Sequence, residues 1–288
     1  MPVLWHGQLV ATDFLNLGQS QAEISAAAPQ RIYGDYLDVK TTAKSILAVD
    51  VKSGQVLYQK NSQEVLPIAS ITKLMTALVF LDNNPGWQKE VYTIAADRRN
   101  GGIIYLNGGE VLTVENLFKT VLIVSDNDSA IALSRSTGLS AEDFIAKMNS
   151  KAKELGLNNT TFSDPTGLSL GNKSTVADLA KLLNQALKMP AIKEATGTSY
   201  YEFMVQAKDK EPRQVILKNT DWLLKSYLQI EGGKTGSLEE AGYCLAVKIK
   251  GEQSQGIIIV VLGSQSNSDR FQDVKAVADW IFNNYQWK

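Results

Sequence analysis

The sequence predicts a mixed α/β (α+β) fold: one antiparallel sheet built from both chain ends, packed against helices, with a helical lobe inserted between them. Two observations carry this. Strand-type runs cluster towards the two ends, over Ser45–Gln59 and again from Leu228 to Leu262, while the middle reads mainly as helix. One helix, Pro67–Leu81, follows the first strands and is apolar on nearly every side, so it belongs inside, between sheet and lobe.

Residues 1–40 are polar and weakly periodic and read as an N-terminal extension. They lack the basic start and continuous apolar stretch of an export signal. Ile46–Val51 and Gln55–Tyr58 are joined at Ser53-Gly54 as a hairpin. Pro67 stands just ahead of the buried helix, where proline is well tolerated. Val91–Ile94 is a short strand, and Asn100-Gly101-Gly102 and Asn107-Gly108-Gly109 mark loops. Thr113 caps a helix through Val124, and Ser140 caps another that reaches Leu155 and closes at Gly156. Thr175, with Asp178 three residues on, opens a third that stops before Pro190. Ser199–Phe203 and Gln214–Leu217 are strand candidates, followed by Leu228–Ser237, Tyr243–Lys250 and Gly256–Leu262. An amphipathic helix over Arg270–Tyr285 ends the chain. The organisation expected is an extension over 1–40 and one domain over 41–286, with the lobe inserted at approximately 85–205.

The 288 residues carry 29 Lys plus Arg and 30 Asp plus Glu, a net charge of −1, so nothing draws the chain to nucleic acid. Ile257–Leu262, the longest unbroken apolar run, is far too short to span a bilayer, so no transmembrane segment is expected. The one cysteine, Cys244, lies in a strand and reads as a buried thiol; it excludes an intrachain disulfide. The one histidine, His6, sits in the polar N-terminal segment, remote from any serine motif. A histidine general base is thereby nearly excluded, so a nucleophilic mechanism needs a lysine or a carboxylate as base. With one His and one Cys, no metal centre built on them and no cofactor is expected.

Within the buried helix, Ser70 and Lys73 break the apolar pattern. Three residues give about 300° of rotation and about 4.5 Å of rise, which makes the two side chains neighbours. A lysine there needs a carboxylate partner or a depressed pKa, and a serine in its reach is a candidate nucleophile with a built-in base. The alternative is a capping serine and a snorkelling lysine. Two further motifs decide between them. Ser125-Asp126-Asn127 falls in a break between helices, and Lys234-Thr235-Gly236-Ser237 falls on a strand. Each is common alone. In this order and these contexts, the trio is the signature of class A β-lactamases and penicillin-binding proteins.

The chain resembles the low-molecular-mass penicillin-binding proteins, the serine D-alanyl-D-alanine carboxypeptidases and endopeptidases. The likeness spans about residues 41–286 and includes Pro67–Ala77, Phe162–Ser169, Ala241–Tyr243 and Asp269–Phe271. It implies the serine β-lactamase/penicillin-binding-protein fold, with the site between sheet and lobe. It implies peptidoglycan stem peptides as substrates, β-lactams as inhibitors, and a place outside the cytoplasmic membrane, in the periplasm or cell wall. Many relatives carry histidine where Thr166 stands; threonine resembles the endopeptidase-like branch. By the same resemblance, Ser70 is acylated, Lys73 is its base and Ser125 relays a proton to the leaving amine. Asn127 holds a substrate amide, Lys234, Thr235, Gly236 and Ser237 line the substrate strand, and Arg270 meets a terminal carboxylate. The N–H groups of Ser70 and Ser237 form the oxyanion hole.

For Lys73 to accept a proton, its pKa must fall from about 10.4, each unit being about 1.4 kcal/mol. Burial and the like charge of Lys234 both push that way. Two rival readings share the site. A class A β-lactamase adds a carboxylate for deacylation, and a Glu-x-x-Leu-Asn pattern occurs as Glu154-Leu155-Gly156-Leu157-Asn158. Glu154, however, projects about 120° from its helix's apolar face, which makes it a solvated residue. A non-hydrolytic penicillin sensor would be acylated without turning over.

Overall fold

The computed structural model describes residues 28–32, 39–100, 102–251 and 255–287. His6 and most of the expected N-terminal extension lie outside them. The chain begins with β1 (Gln30–Arg31), the hairpin β2 (Ser45–Asp50) and β3 (Val56–Lys60), and β4 (Leu66–Pro67). A 3₁₀ turn, Ala69–Thr72, then runs directly into α1 (Lys73–Asp82). The middle holds β5 (Glu90–Tyr92), β6 (Glu110–Thr113), α2 (Val114–Ile123), α3 (Asn127–Ser136) and α4 (Ala141–Glu154). It continues through β7 (Lys173–Ser174), α5 (Val176–Ala186), α6 (Pro190–Gly197), β8 (Tyr200–Ala207) and β9 (Arg213–Lys218). The chain ends with β10 (Gln229–Leu238), β11 (Gly242–Lys250), β12 (Gly256–Ser264), α7 (Asn267–Asn284) and β13 (Tyr285–Gln286).

The main sheet has the antiparallel order β10-β11-β12-β2-β3 and is built from both ends of the chain, as the strand pattern predicts. Every residue of β2 is buried, and β12 is buried from Ile257 onward, because helices cover both faces. That is why these strands read as unbroken apolar runs and not as alternation. Successive side chains still part to opposite faces. Ile46, Ala48, Ile257 and Ile259 pack with Phe271, Val274 and Ile281 of α7. Leu47, Val49, Ile258 and Val260 pack with Leu74 and Leu78 of α1 and Leu182 of α5.

The middle of the chain is not purely helical. It carries its own antiparallel sheet, β5-β6-β8-β9, which takes up the two strands expected from Ser199 to Leu217. A buried carboxylate holds that sheet together: Arg213 Nε and Nη2 grip Glu110 Oε1 and Oε2 at 2.9 and 2.8 Å. The helix capped by Thr175 stops before Pro190, as expected, and Pro190 then opens α6 at its first position, where its missing N–H costs nothing. The other caps are as expected: Thr113, Ser140 and Thr175 accept from the N–H groups of Asn116, Asp143 and Asp178.

Candidate active site

The nucleophile candidate sits on the 3₁₀ turn, not in the first turn of an α-helix. In 3₁₀ geometry residues i and i+3 eclipse each other, which brings Ser70 and Lys73 closer than α-helical geometry would. Lys73 Nζ lies 2.8 Å from Ser70 Oγ. Two close approaches fix the turn. Gly236 of β10 packs so tightly that a Cβ there would stand 3.0 Å from both Ile68 O and Ser70 N. Gly167, at φ +90°, would place a Cβ 2.1 Å from Ala69 O. Ala69 itself is held at φ +47°, a left-handed conformation costing an alanine about 1–2 kcal/mol.

Lys73 is completely buried. Its Nζ touches Ser70 Oγ, Asn127 Oδ1 at 2.7 Å and the Thr166 carbonyl at 2.7 Å. The last two are acceptors only. A neutral amine has two hydrogens and one lone pair. With the hydrogens spent on Asn127 and Thr166, the lone pair faces the Ser70 hydroxyl, as a general base requires. Burial pushes the Lys73 pKa down to about 7, against the carboxylates of Asp126 and Asp164, which work to raise it. The expected help from Lys234 shows instead on Lys234, whose own pKa falls well below the usual range through burial and then through the charges of Lys73 and Arg270.

The facing wall is the break between α2 and α3. Asp126 caps α3 by accepting from Ser129 N at 2.7 Å, leaving Asn127 as the first helical residue with its side chain on Lys73. Ser125 takes φ +63°, and its buried Oγ has no hydrogen-bond partner among the described residues. A hydroxyl held unsatisfied by a strained backbone is the kind of group functional sites retain.

The third wall is β10. Lys234 is buried, with Nζ 3.1 Å from the Thr235 carbonyl. Thr235 Oγ1 lies 2.6 Å from Thr220 Oγ1, and Ser237 is exposed. Arg270 is not a surface residue. It is buried in the first turn of α7, donates Nη1 to Gly236 O at 2.9 Å, and lies beside the rings of Phe271 and Tyr243. Burial lowers its pKa to about 10. The structure therefore brings Ser70, Lys73 and Asn127 into direct contact. It sets Gly236 against Ser70 N, and puts Arg270 on the Gly236 carbonyl of the Lys-Thr-Gly strand.

The role of Asp164 went unread in the sequence. Its carboxylate accepts from Thr166 N and Oγ1, Gly167 N, Ser169 N and Asn172 Nδ2, at 2.5–3.0 Å. Burial works to raise its pKa, but these hydrogen bonds outweigh it and hold the group below the usual carboxylate range. Asp164 thus shapes the loop that aims the Thr166 carbonyl at Lys73. The signal was present in Ser163-Asp164-Pro165-Thr166-Gly167, a dense turn sequence. Glu154 lies elsewhere: its exposed carboxylate is paired with Lys151 at 3.7 Å. Cys244 is fully buried, and burial pushes its thiol up to about 11.

A sheet closed against a buried serine–lysine turn, facing a helix-break serine and a lysine-bearing strand, defines a serine acyl-enzyme peptidase of the penicillin-binding-protein fold. The model of the D-alanyl-D-alanine carboxypeptidase family, peptidase S11, matches residues 30–266, and the chain belongs to that family. It is 37% identical over 250 residues to D-alanyl-D-alanine carboxypeptidase DacF of Bacillus subtilis, covering 85% of this chain and 63% of that protein's length. It is 32% identical to the D-alanyl-D-alanine endopeptidase of Pseudomonas aeruginosa, covering 94% of this chain and 87% of the relative. The crystal structure of the Streptomyces K15 DD-transpeptidase superposes with a TM-score of 0.81 at 30% identity, over 86% of this chain and all of the other.

Proposed function

We propose that this chain is a serine DD-peptidase acting on peptidoglycan stem peptides through a Ser70 acyl-enzyme, and that β-lactams acylate the same serine. The observation that carries the reading is the completely buried Lys73 amine, with two contacts to acceptors and one to Ser70 Oγ. Ser70 Oγ attacks the carbonyl carbon of the penultimate D-alanine while its proton passes to Lys73 Nζ. The Ser70 and Ser237 N–H groups receive the developing oxyanion, each such donor being worth about 3–4 kcal/mol. The proton then reaches the leaving nitrogen through the Ser125 hydroxyl, the C–N bond breaks, and the amine departs. Water completes the cycle by cleaving the ester and returning a proton to Ser70. Asn127 holds a substrate amide, while Lys234, Thr235 and Arg270 favour a terminal carboxylate.

Residues 41–286 are proposed as the catalytic domain, with the lobe at about 85–205 inserted in it and 1–40 as an extension. No helix of the described residues is long and apolar enough to cross a membrane. The proposed workplace is outside the cytoplasmic membrane, where the substrate is.

The test is to incubate the protein with a D-Ala-D-Ala-terminated muropeptide, a cross-linked muropeptide and a chromogenic cephalosporin. The expected result is free D-alanine or cleaved cross-links, negligible cephalosporin turnover, and covalent penicillin on wild type but not on Ser70→Ala. Penicillin labelling of a folded Ser70→Ala protein would overturn the assignment. Which muropeptide is cleaved faster separates carboxypeptidase from endopeptidase.

A further inference from the structure

Behind the Lys-Thr-Gly strand, on the face away from the nucleophile, lies a carboxylate that the mechanism above does not use. Asp221 is buried, at 3% exposure. Its Oδ1 accepts from Leu223 N at 2.9 Å, but Oδ2 is buried with no hydrogen-bond partner among the described residues. That oxygen lies 3.2 Å from where a side chain on Gly233 would begin, directly under the strand next to Lys234. Arg270, packed on the neighbouring Gly236 carbonyl, has a buried Nε that is likewise unpartnered. The segment holding Asp221 spans the cleft walls. Thr220 N donates to Ile123 O, at the end of α2 just before Ser125, and Thr220 Oγ1 meets Thr235 Oγ1.

We infer that Asp221 is a positioning residue whose buried charge weakens the grip of Lys234, Thr235 and Arg270 on an anionic ligand. The inference rests on the proposed binding of a terminal carboxylate at Thr235 and Arg270. A second negative charge arriving beside a buried, incompletely satisfied carboxylate meets repulsion that the low-dielectric interior does not screen. Burial pushes the Asp221 pKa up to about 6, against the Leu223 N–H and the charges of Arg270 and Lys234. The groups acting on it are thus Arg270 from α7 and Lys234 from β10. Tyr243 and Cys244, on β11, act in turn on Arg270, and Lys73 acts on Lys234. Lys73, at about 7, titrates over the same range, so the contribution of Asp221 is the difference its removal makes at a given pH and not the whole pH profile.

Asp221→Asn isolates the charge, because asparagine caps a helix start as well as aspartate does and keeps the Oδ1 acceptor. Binding of an acyl-D-Ala-D-Ala peptide and of its C-terminal amide is measured by calorimetry from pH 5 to 8. Non-reacting Ser70→Ala protein is used, with and without Asp221→Asn. At pH 8, Asp221→Asn should bind the free acid about five- to tenfold more tightly than the protein with Asp221, and the gap should close as pH falls to 5. Near pH 6 binding should take up more protons where Asp221 is present than where it is not. The amide should bind alike in both proteins at every pH. Equal pH profiles for the free acid in the two proteins, with acid still preferred over amide, overturn this inference alone. No preference for acid over amide in either protein overturns the carboxylate assignment, and this inference with it.

Discussion

At the scale of single residues, the decisive quantity is the charge on Lys73. Completely buried and with a pKa of about 7, it is half neutral near pH 7 without the aid of any histidine. The sign follows directly: the base form grows as pH rises, so the rate of penicillin acylation should climb through about pH 7 and level off above about pH 8. A lysine with an ordinary pKa near 10.4 would still be gaining rate at pH 10. Stopped-flow acylation between pH 5 and 10 distinguishes the two, and continued rise to pH 10 would sink the assignment. Lys73→Arg, always charged, should be nearly inert. Much of this was legible in the sequence, because a serine and a lysine three apart in an apolar helix can hardly avoid each other. The Thr166 carbonyl was not, because a backbone acceptor has no residue-type signature and this one, aimed by Asp164, meets Lys73 from 93 positions away.

At the scale of elements, the site depends on how closely β10 and the Asp164–Ser169 loop press on the 3₁₀ turn. Caps and strand runs were readable because their signals are local: Thr113, Ser140 and Thr175 each satisfy an N–H three residues on. The 3₁₀ turn itself was not, because its geometry is imposed by packing from Gly236 and Gly167 and not by its own sequence. The second sheet was hidden for a similar reason, since β6 and β8 meet across nearly a hundred residues. Adding one methyl at either glycine should therefore act on the nucleophile. Gly236→Ala must move Ile68 or Ser70 by a few tenths of an ångström, with a stability loss of about 1–3 kcal/mol. Acylation should fall by up to roughly 10-fold, since a full ångström of misplacement costs about 100-fold. Gly167→Ala should be worse on both counts, because its Cβ would overlap Ala69 O and the left-handed backbone adds strain. Chemical denaturation beside acylation rates checks the order; a Gly167→Ala protein as active as wild type would show that the loop does not set the turn.

At the scale of the whole molecule, the sheet that carries the Lys-Thr-Gly strand is closed by chain segments from opposite ends, and one carboxylate ties them. Asp273, buried on α7, accepts from Thr42 N at 2.8 Å, Thr42 Oγ1 at 2.9 Å, Ala43 N at 3.0 Å and Ser264 Oγ at 2.7 Å. Those donors lie just before β2 and at the end of β12, the adjacent strands where N- and C-terminal halves meet. In the sequence Asp273 is one polar residue of an amphipathic helix, and three of its four hydrogen bonds come from Thr42 and Ala43, some 230 residues earlier in the chain. Removing it leaves the buried Ala43 N and Ser264 Oγ unsatisfied, at about 1–3 kcal/mol each. Asp273→Ala should thus lose roughly 2–5 kcal/mol, and its melting temperature should fall by about 5–15 °C on the scaling for large domains. Ser70, Lys73 and Asn127 stand on other elements, so acylation measured well below the melting transition should be little changed. A variant that melts like wild type would show that the ends are held by apolar packing alone. One that keeps its melting point but loses acylation would show that α7 acts on the site through Arg270, three residues before Asp273, and not on the closure of the sheet.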